Sequence, residues 1–222
     1  GVKGKVMYPK MDVIFRMIRE ILNTSDVTDT RRLHEIISRV KSRAQSSLVS
    51  AGHSTAVLRA ASYASPMAAF QDGMAGIAYY QFIEKLDREF DDRKEEIIEN
   101  LKSLMVAILR PENLCISYTG ERESLDSVQK QIRELKKTLH QEVTESSSSE
   151  MICQKKNEGF MTSGQVQYVA QAGNFRKKGY DYTGALNILK VALSYDYLWI
   201  NIRVKGGAYG CMSGFKYSGE SF

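Results

Sequence analysis

The chain is short of the residues on which small catalytic and scaffold proteins most often depend. Its 222 residues include three histidines, three cysteines, three prolines and one tryptophan. The thiols, Cys115, Cys153 and Cys211, are an odd number and form no CxxC pair. That excludes a disulfide framework and a thiolate metal site, and points to reduced cysteines in a reducing compartment. His34, His53 and His140 lie far apart. His34-Glu35 is the nearest approach to a zinc-binding helix, but positions 37 and 38 are Ile37 and Ser38, so the second histidine one turn on is missing. His34 therefore reads as a surface helix residue and His53, beside Gly52, as a packing or capping residue. No apolar run approaches the ~20 residues of a membrane helix, and the first residues show no signal-peptide core.

What remains is ordinary for a globular chain: 43% hydrophobic and 26% charged residues. At roughly 150 residues per domain, the length gives one large or two small domains. The net charge of +5 resides in residues 151–222, which hold nine Lys/Arg against four Asp/Glu; the preceding 150 residues carry 22 of each sign. A solvated basic face accounts for this. A nucleic-acid groove would add interleaved aromatics or a helix-turn-helix pattern, and neither is present.

The periodicity predicts a helix-rich α+β chain. Val2, Val6 and Tyr8 read as strand residues before Pro9. Val13, Ile14, Met17, Ile18, Ile21 and Leu22 make an amphipathic helix from Met11 to Leu22. A longer helix starts at a Thr28 or Asp29 cap and weakens at Gly52. Ser65-Pro66 starts another. Met67, Met74, Met105, Tyr79, Tyr80 and Phe82 read as core, and Asp87 to Glu99 as a solvated face or a break. Pro111 ends a helix, Leu114–Tyr118 is a short strand, and Ser124 caps a helix carrying Leu125, Val128, Ile132, Leu135 and Leu139. The serine run 146–149 reads as a linker. The expected division is therefore residues 1–143, a linker at 144–158, and a second unit over 159–222. In that unit, 165–170 and Tyr209–Phe215 read as strands around a helix running from Gly184 to about Arg203.

The helix ends at Lys205-Gly206-Gly207-Ala208-Tyr209-Gly210. These glycines lack the GxxxxGK[ST] spacing and follow a helix instead of opening one, so they do not form a phosphate cradle. A helix end with a tight turn suits them. That leaves Arg203 and Tyr209 on either side of a Gly-Gly reversal, where a guanidinium and a phenol can converge on a carbonyl or oxyanion.

The string from Tyr197 through Trp199, Arg203, Gly206-Gly207-Ala208-Tyr209 to Gly210 resembles the C-terminal half of presequence proteases, a branch of the pitrilysin/insulinase zinc metallopeptidases. Leu33 to Pro66, with Ser50-Ala51-Gly52-His53 and Leu58-Arg59-Ala60, is similar to the family's central associated region. The resemblance implies two partial metallopeptidase-like α/β sandwich domains. The first is a helix-rich unit with a small antiparallel sheet, corresponding to the latter part of the family's third domain. The second is a truncated unit, the opening part of the fourth.

It also implies a zinc endopeptidase that degrades short unfolded peptides in a closed chamber. The metal would be held by an inverted His-x-x-Glu-His motif in an N-terminal half, which is absent here, so this piece alone is expected to be inactive. Arg203 and Tyr209 fall on the two positions that reach the substrate, with Gly206, Gly207 and Gly210 supporting the turn. The implied partners are peptides and the N-terminal half of the same polypeptide, without nucleic acid or membrane, in a monomeric parent. The implied compartment is the cytoplasm or, in a eukaryote, an organelle lumen. The competing reading is a non-catalytic scaffold subunit of the same fold, which would have no need of the Arg203–Tyr209 pair.

Overall fold

A computed structural model describes residues 1–141, 150–162 and 164–222. Residues 144–149 of the expected linker at 144–158 thus lie outside the described residues. The chain groups into two compact units, Gly1–Glu35 with Glu89–Ser148, and Ile36–Arg88 with Ser149–Phe222.

In the first unit, α1 (Met11–Thr24) packs on α7 (Leu125–Lys137). Phe15, Val128 and Leu135 form the core, flanked by Met11, Ile14, Ile18, Leu22, Leu114, Tyr118 and Ile132. The helix is where periodicity placed it, but its buried stripe is rotated. Phe15 is buried, while Met17 and Ile21 are about half exposed at 55% and 48%. A phenyl ring removes more apolar area from water than either aliphatic chain, and it sets the face. α6 (Phe90–Ile108) buries Phe90 and Ile97. The His34 ring stacks on Phe90 at 4.4 Å between centroids, so this helix residue, expected at the surface, is half-buried with one face packed.

Several local expectations meet their caps. Asp29 Oδ1 accepts from the Arg32 N–H at 2.9 Å at the start of α2 (Thr30–Ser50). The weak point at Gly52 is a real boundary between α2 and α3 (Gly52–Ser62). Ser124 precedes α7 but does not cap it, because its hydroxyl donates to the Glu121 carbonyl instead and bonds the Tyr118 phenol.

In the second unit, α3, α4 (Pro66–Ala75) and α5 (Ile77–Arg88) pack in succession, with Ala61, Ala68, Ile77 and Ile83 buried. Alanines let the backbones approach closely, and the large side chains turn outward. Met67, Met74 and Phe82, expected in a core, are exposed in this unit. Asp87 is not part of a solvated face either, since it binds the Ser38 hydroxyl and Lys41 at 12% side-chain exposure. Ser65 caps α4 as expected, accepting from the Ala68 N–H at 3.3 Å.

The α+β reading holds, with a two-stranded antiparallel sheet. β1 (Gly173–Asn174) pairs with β2 (Glu220–Ser221), in the register Gly173 to Ser221 and Asn174 to Glu220. This pair lies in the last third of the chain and not in the helix-rich first part. Residues 2–8, 114–118 and 165–170 carry no ladder among the described residues, and Tyr209–Phe215 contributes only the Phe215–Ser221 bridge. Alternation marked these segments as able to extend, but a strand also needs a partner edge.

The junction of α4 and α5 is built on one glycine. The Gly76 N–H donates to the Asp72 carbonyl and the Ile77 N–H to Asp72 Oδ1, both at 2.9 Å. A β-carbon on Gly76 would overlap Asp72 Oδ1 and stand 2.9 Å from its Cα. Gly76→Ala should therefore cost about 1–3 kcal/mol through overpacking. The checking measurement is amide hydrogen exchange in α4 and α5, and unchanged protection would refute it.

Candidate functional site

α8 (Ala185–Ala192) runs without a break into a π-helix over Leu193–Val204, in agreement with one continuous helix to Arg203. The Lys205 N–H, for instance, donates to the Ile200 carbonyl at 3.0 Å. π-helical turns occur mostly as single bulges and are frequent at functional sites, so twelve such residues are unusual.

The helix ends as its glycines require. The Ala208 N–H reaches back to the Ile202 carbonyl at 3.2 Å, and the Gly207 N–H to the Arg203 carbonyl at 3.0 Å. Gly207 lies in the left-handed region at φ 73°, where a side chain would be strained. A β-carbon on Gly206 would sit 2.6 Å from the Ile202 carbonyl oxygen. Gly210 has neither constraint, with open space where a β-carbon would be.

The reversal returns Tyr209 to Arg203. The guanidinium carbon lies 6.0 Å from the Tyr209 ring centroid and 4.4 Å from that of Trp199. Arg203 Nη1 donates to the Tyr209 main-chain carbonyl, its one acceptor among the described residues. The Tyr209 side of this contact is thus backbone, and the ring itself is 94% exposed. Guanidinium and phenol are neighbours with hydrogen-bond donors still to offer, which is the arrangement an external carbonyl oxygen can use.

Sequence reasoning missed a second constellation, in the Ile36–Arg88/Ser149–Phe222 unit. Arg59 on α3 donates through Nη1 to Asp72 at 2.6 Å, and through Nε and Nη2 to the two oxygens of Glu158 at 2.8 and 3.0 Å. The Tyr63 hydroxyl also donates to Glu158, and the Arg59 guanidinium lies over the Tyr63 and Phe160 rings. Beside it is a cavity of about 230 Å³, lined in part by Tyr63, Gln154 and Lys156. The signal was present in the sequence. From Ala44 to Ile83 the only Asp, Glu, Lys or Arg residues are Arg59 and Asp72. Two lone opposite charges in an uncharged helical stretch are candidates to pair in the interior.

Arg59 and the Tyr63 hydroxyl hold the Glu158 carboxyl at about 2, below its ordinary 4.5. A lowered folded-state value means that this stabilisation is complete above pH 4.5 and is lost as pH falls from 4.5 towards 2. Glu158→Gln should flatten the wild-type loss of stability across that window, as read by urea unfolding at stepped pH; an unaltered profile would refute it. Nearby, Glu220 is 1% exposed and bonded by the Ser65 and Ser218 hydroxyls. Burial pushes its carboxyl up, but the hydrogen bonds outweigh that and leave it lowered.

Cys115, Cys153 and Cys211 are unpaired thiols, and His53 tilts against Tyr168 at 6.2 Å. Among the described residues no three His, Cys, Asp or Glu side chains cluster to hold a metal. No helix is long and apolar enough to cross a membrane.

Residues 1–86 match the family model for the associated region of peptidase family M-16, subfamily C, and residues 157–222 match that of the PreP C-terminal domain. Over 221 residues the chain is 34% identical to protein HypA of Clostridium perfringens (strain 13 / Type A), a match covering 100% of this chain and 22% of that protein. Over 214 residues it is 27% identical to presequence protease 1, chloroplastic/mitochondrial, of Arabidopsis thaliana, covering 94% of this chain and 19% of the relative. Mitochondrial presequence protease of Yarrowia lipolytica is 27% identical over 217 residues, covering 95% and 22%. The chain therefore spans 19–22% of the length of these relatives.

Proposed function

Since this chain belongs to the presequence protease branch of that peptidase family, we propose that it is the part of a peptide-degrading metalloendopeptidase that grips the substrate backbone. The observation carrying this reading is the Arg203 guanidinium and the exposed Tyr209 ring, 6.0 Å apart across the Gly206-Gly207 reversal. Both lie inside the 157–222 match.

The chemistry asked of the pair is hydrogen bonding to a peptide carbonyl oxygen. Attack on that carbonyl moves negative charge onto the oxygen, and fixed N–H and O–H donors hold the charged form more tightly than the ground state. Residues other than the described ones would hold the family's zinc. The substrates are short unfolded peptides, and binding main-chain carbonyls makes recognition tolerant of sequence. The partner is the N-terminal half of the same polypeptide. Residues 1–143 and 159–222 would be successive domains joined across 144–158, with the two family matches on either side of the serine run. The unpaired thiols suit a reducing compartment, the cytoplasm or an organelle lumen.

The test is Tyr209→Phe in the full-length protein, which removes one oxygen and keeps the ring. We expect peptide turnover to fall about 10- to 100-fold, which is what one hydroxyl's hydrogen bond to a charged oxygen contributes, with bound zinc unchanged. Wild-type turnover would remove the phenol from the site.

A further inference from the structure

Arginine carries about 2 kcal/mol of rotamer entropy, so an exposed guanidinium presents its donors in one direction only if something holds its plane. At Arg203 the single hydrogen bond to the Tyr209 carbonyl fixes one corner. A second restraint is the Trp199 indole, four residues earlier on the π-helix, with its ring centroid 4.4 Å from the guanidinium carbon. That is the closest of the arginine–aromatic contacts recorded among the described residues; the others run from 4.8 to 6.0 Å. Trp199 is also the chain's only tryptophan, the aromatic with the strongest attraction for a cation over its face. Hydrogen bond and ring face together define an orientation that neither defines alone.

We propose that Trp199 is a positioning residue for Arg203. Its indole face fixes the guanidinium plane so that the N–H groups not used by the Tyr209 carbonyl point toward a peptide carbonyl. This rests on the carbonyl-binding reading of Arg203, and the experiment separates the two. In the full-length protein, Trp199→Leu keeps apolar bulk without a π face, and Trp199→Phe keeps a ring. Two readouts are taken: the rate at which phenylglyoxal modifies Arg203, followed by mass spectrometry, and kcat and KM for a peptide.

A ring contact at an exposed site holds its cation by about two- to five-fold. A guanidinium displaced by an ångström can cost up to about 100-fold in turnover. Trp199→Leu should therefore speed Arg203 modification about two- to five-fold and lower kcat at least about five-fold with KM little changed, while Trp199→Phe stays close to wild type. Adding Trp199→Leu to Arg203→Ala should lower turnover no further, since both changes act through one group. An unchanged modification rate, or a double variant that multiplies the two losses, overturns the proposal. Faster modification with full activity in Arg203→Ala upholds the positioning role and overturns the carbonyl-binding reading alone.

Discussion

Arg203→Ala in the full-length protein should reduce peptide turnover about 10²- to 10³-fold, the largest kinetic effect expected from any single change in this chain. Removing one preorganised donor to a developing oxyanion raises the barrier by about 3–4 kcal/mol, which is that factor in rate. The loss should fall on kcat more than on KM, because the donor bonds the charged oxygen better than the neutral carbonyl. Arg203→Lys discriminates between charge and shape. An ammonium keeps the positive charge but cannot lie flat on Trp199 while forking to a carbonyl, so it should recover little of the lost rate. Zinc content should be unaffected, since the described residues hold no metal cluster. Turnover within two-fold of wild type in Arg203→Ala would end the proposed role.

The nearness of Arg203 and Tyr209 is a local property of the sequence. A helix, a glycine pair and a phenol at fixed spacing are local features, and local geometry follows from residue type. Gly207 at positive φ and the close approach of Gly206 to Ile202 leave the backbone little choice, so Arg203 and Tyr209 had to be near each other. What spacing did not reveal is the form of the contact, in which Arg203 bonds the Tyr209 carbonyl and lies over Trp199. The same limit explains the strands. Alternation at 2–8, 114–118 and 165–170 reports which side chains tolerate extension, while pairing depends on edges distant in sequence. The pair that does form joins residue 174 to residue 220, nearly fifty positions apart, and local pattern carries no trace of it. Helices, whose hydrogen bonds close within a turn, were legible down to the Asp29 and Ser65 caps.

The largest stability effect should come from Arg59. Its side chain is 13% exposed, and it faces Asp72 at 3% and Glu158 at 24%. Forming such a cluster from water contributes little net, because desolvating three charges offsets much of their attraction. Breaking it is different. In Arg59→Ala the Asp72 carboxylate stays buried, with the Ile77 N–H as its remaining bond, and Glu158 loses its bidentate partner. Leaving a buried charge uncompensated costs about 3–5 kcal/mol. Because α3, α4 and α5 pack in succession around this residue, they should open as one local unit. Their amides should exchange roughly 10²- to 10³-fold faster, with the amides of α1 and α7 unchanged. Adding Asp72→Asn should return part of the loss, since a neutral amide is far less costly to bury than a carboxylate. If Arg59→Ala left exchange in α3–α5 within a factor of five of wild type, the interior pairing would not be holding these helices. If the double variant exchanged faster than the single one, Asp72 would be stabilised by something other than the charge of Arg59.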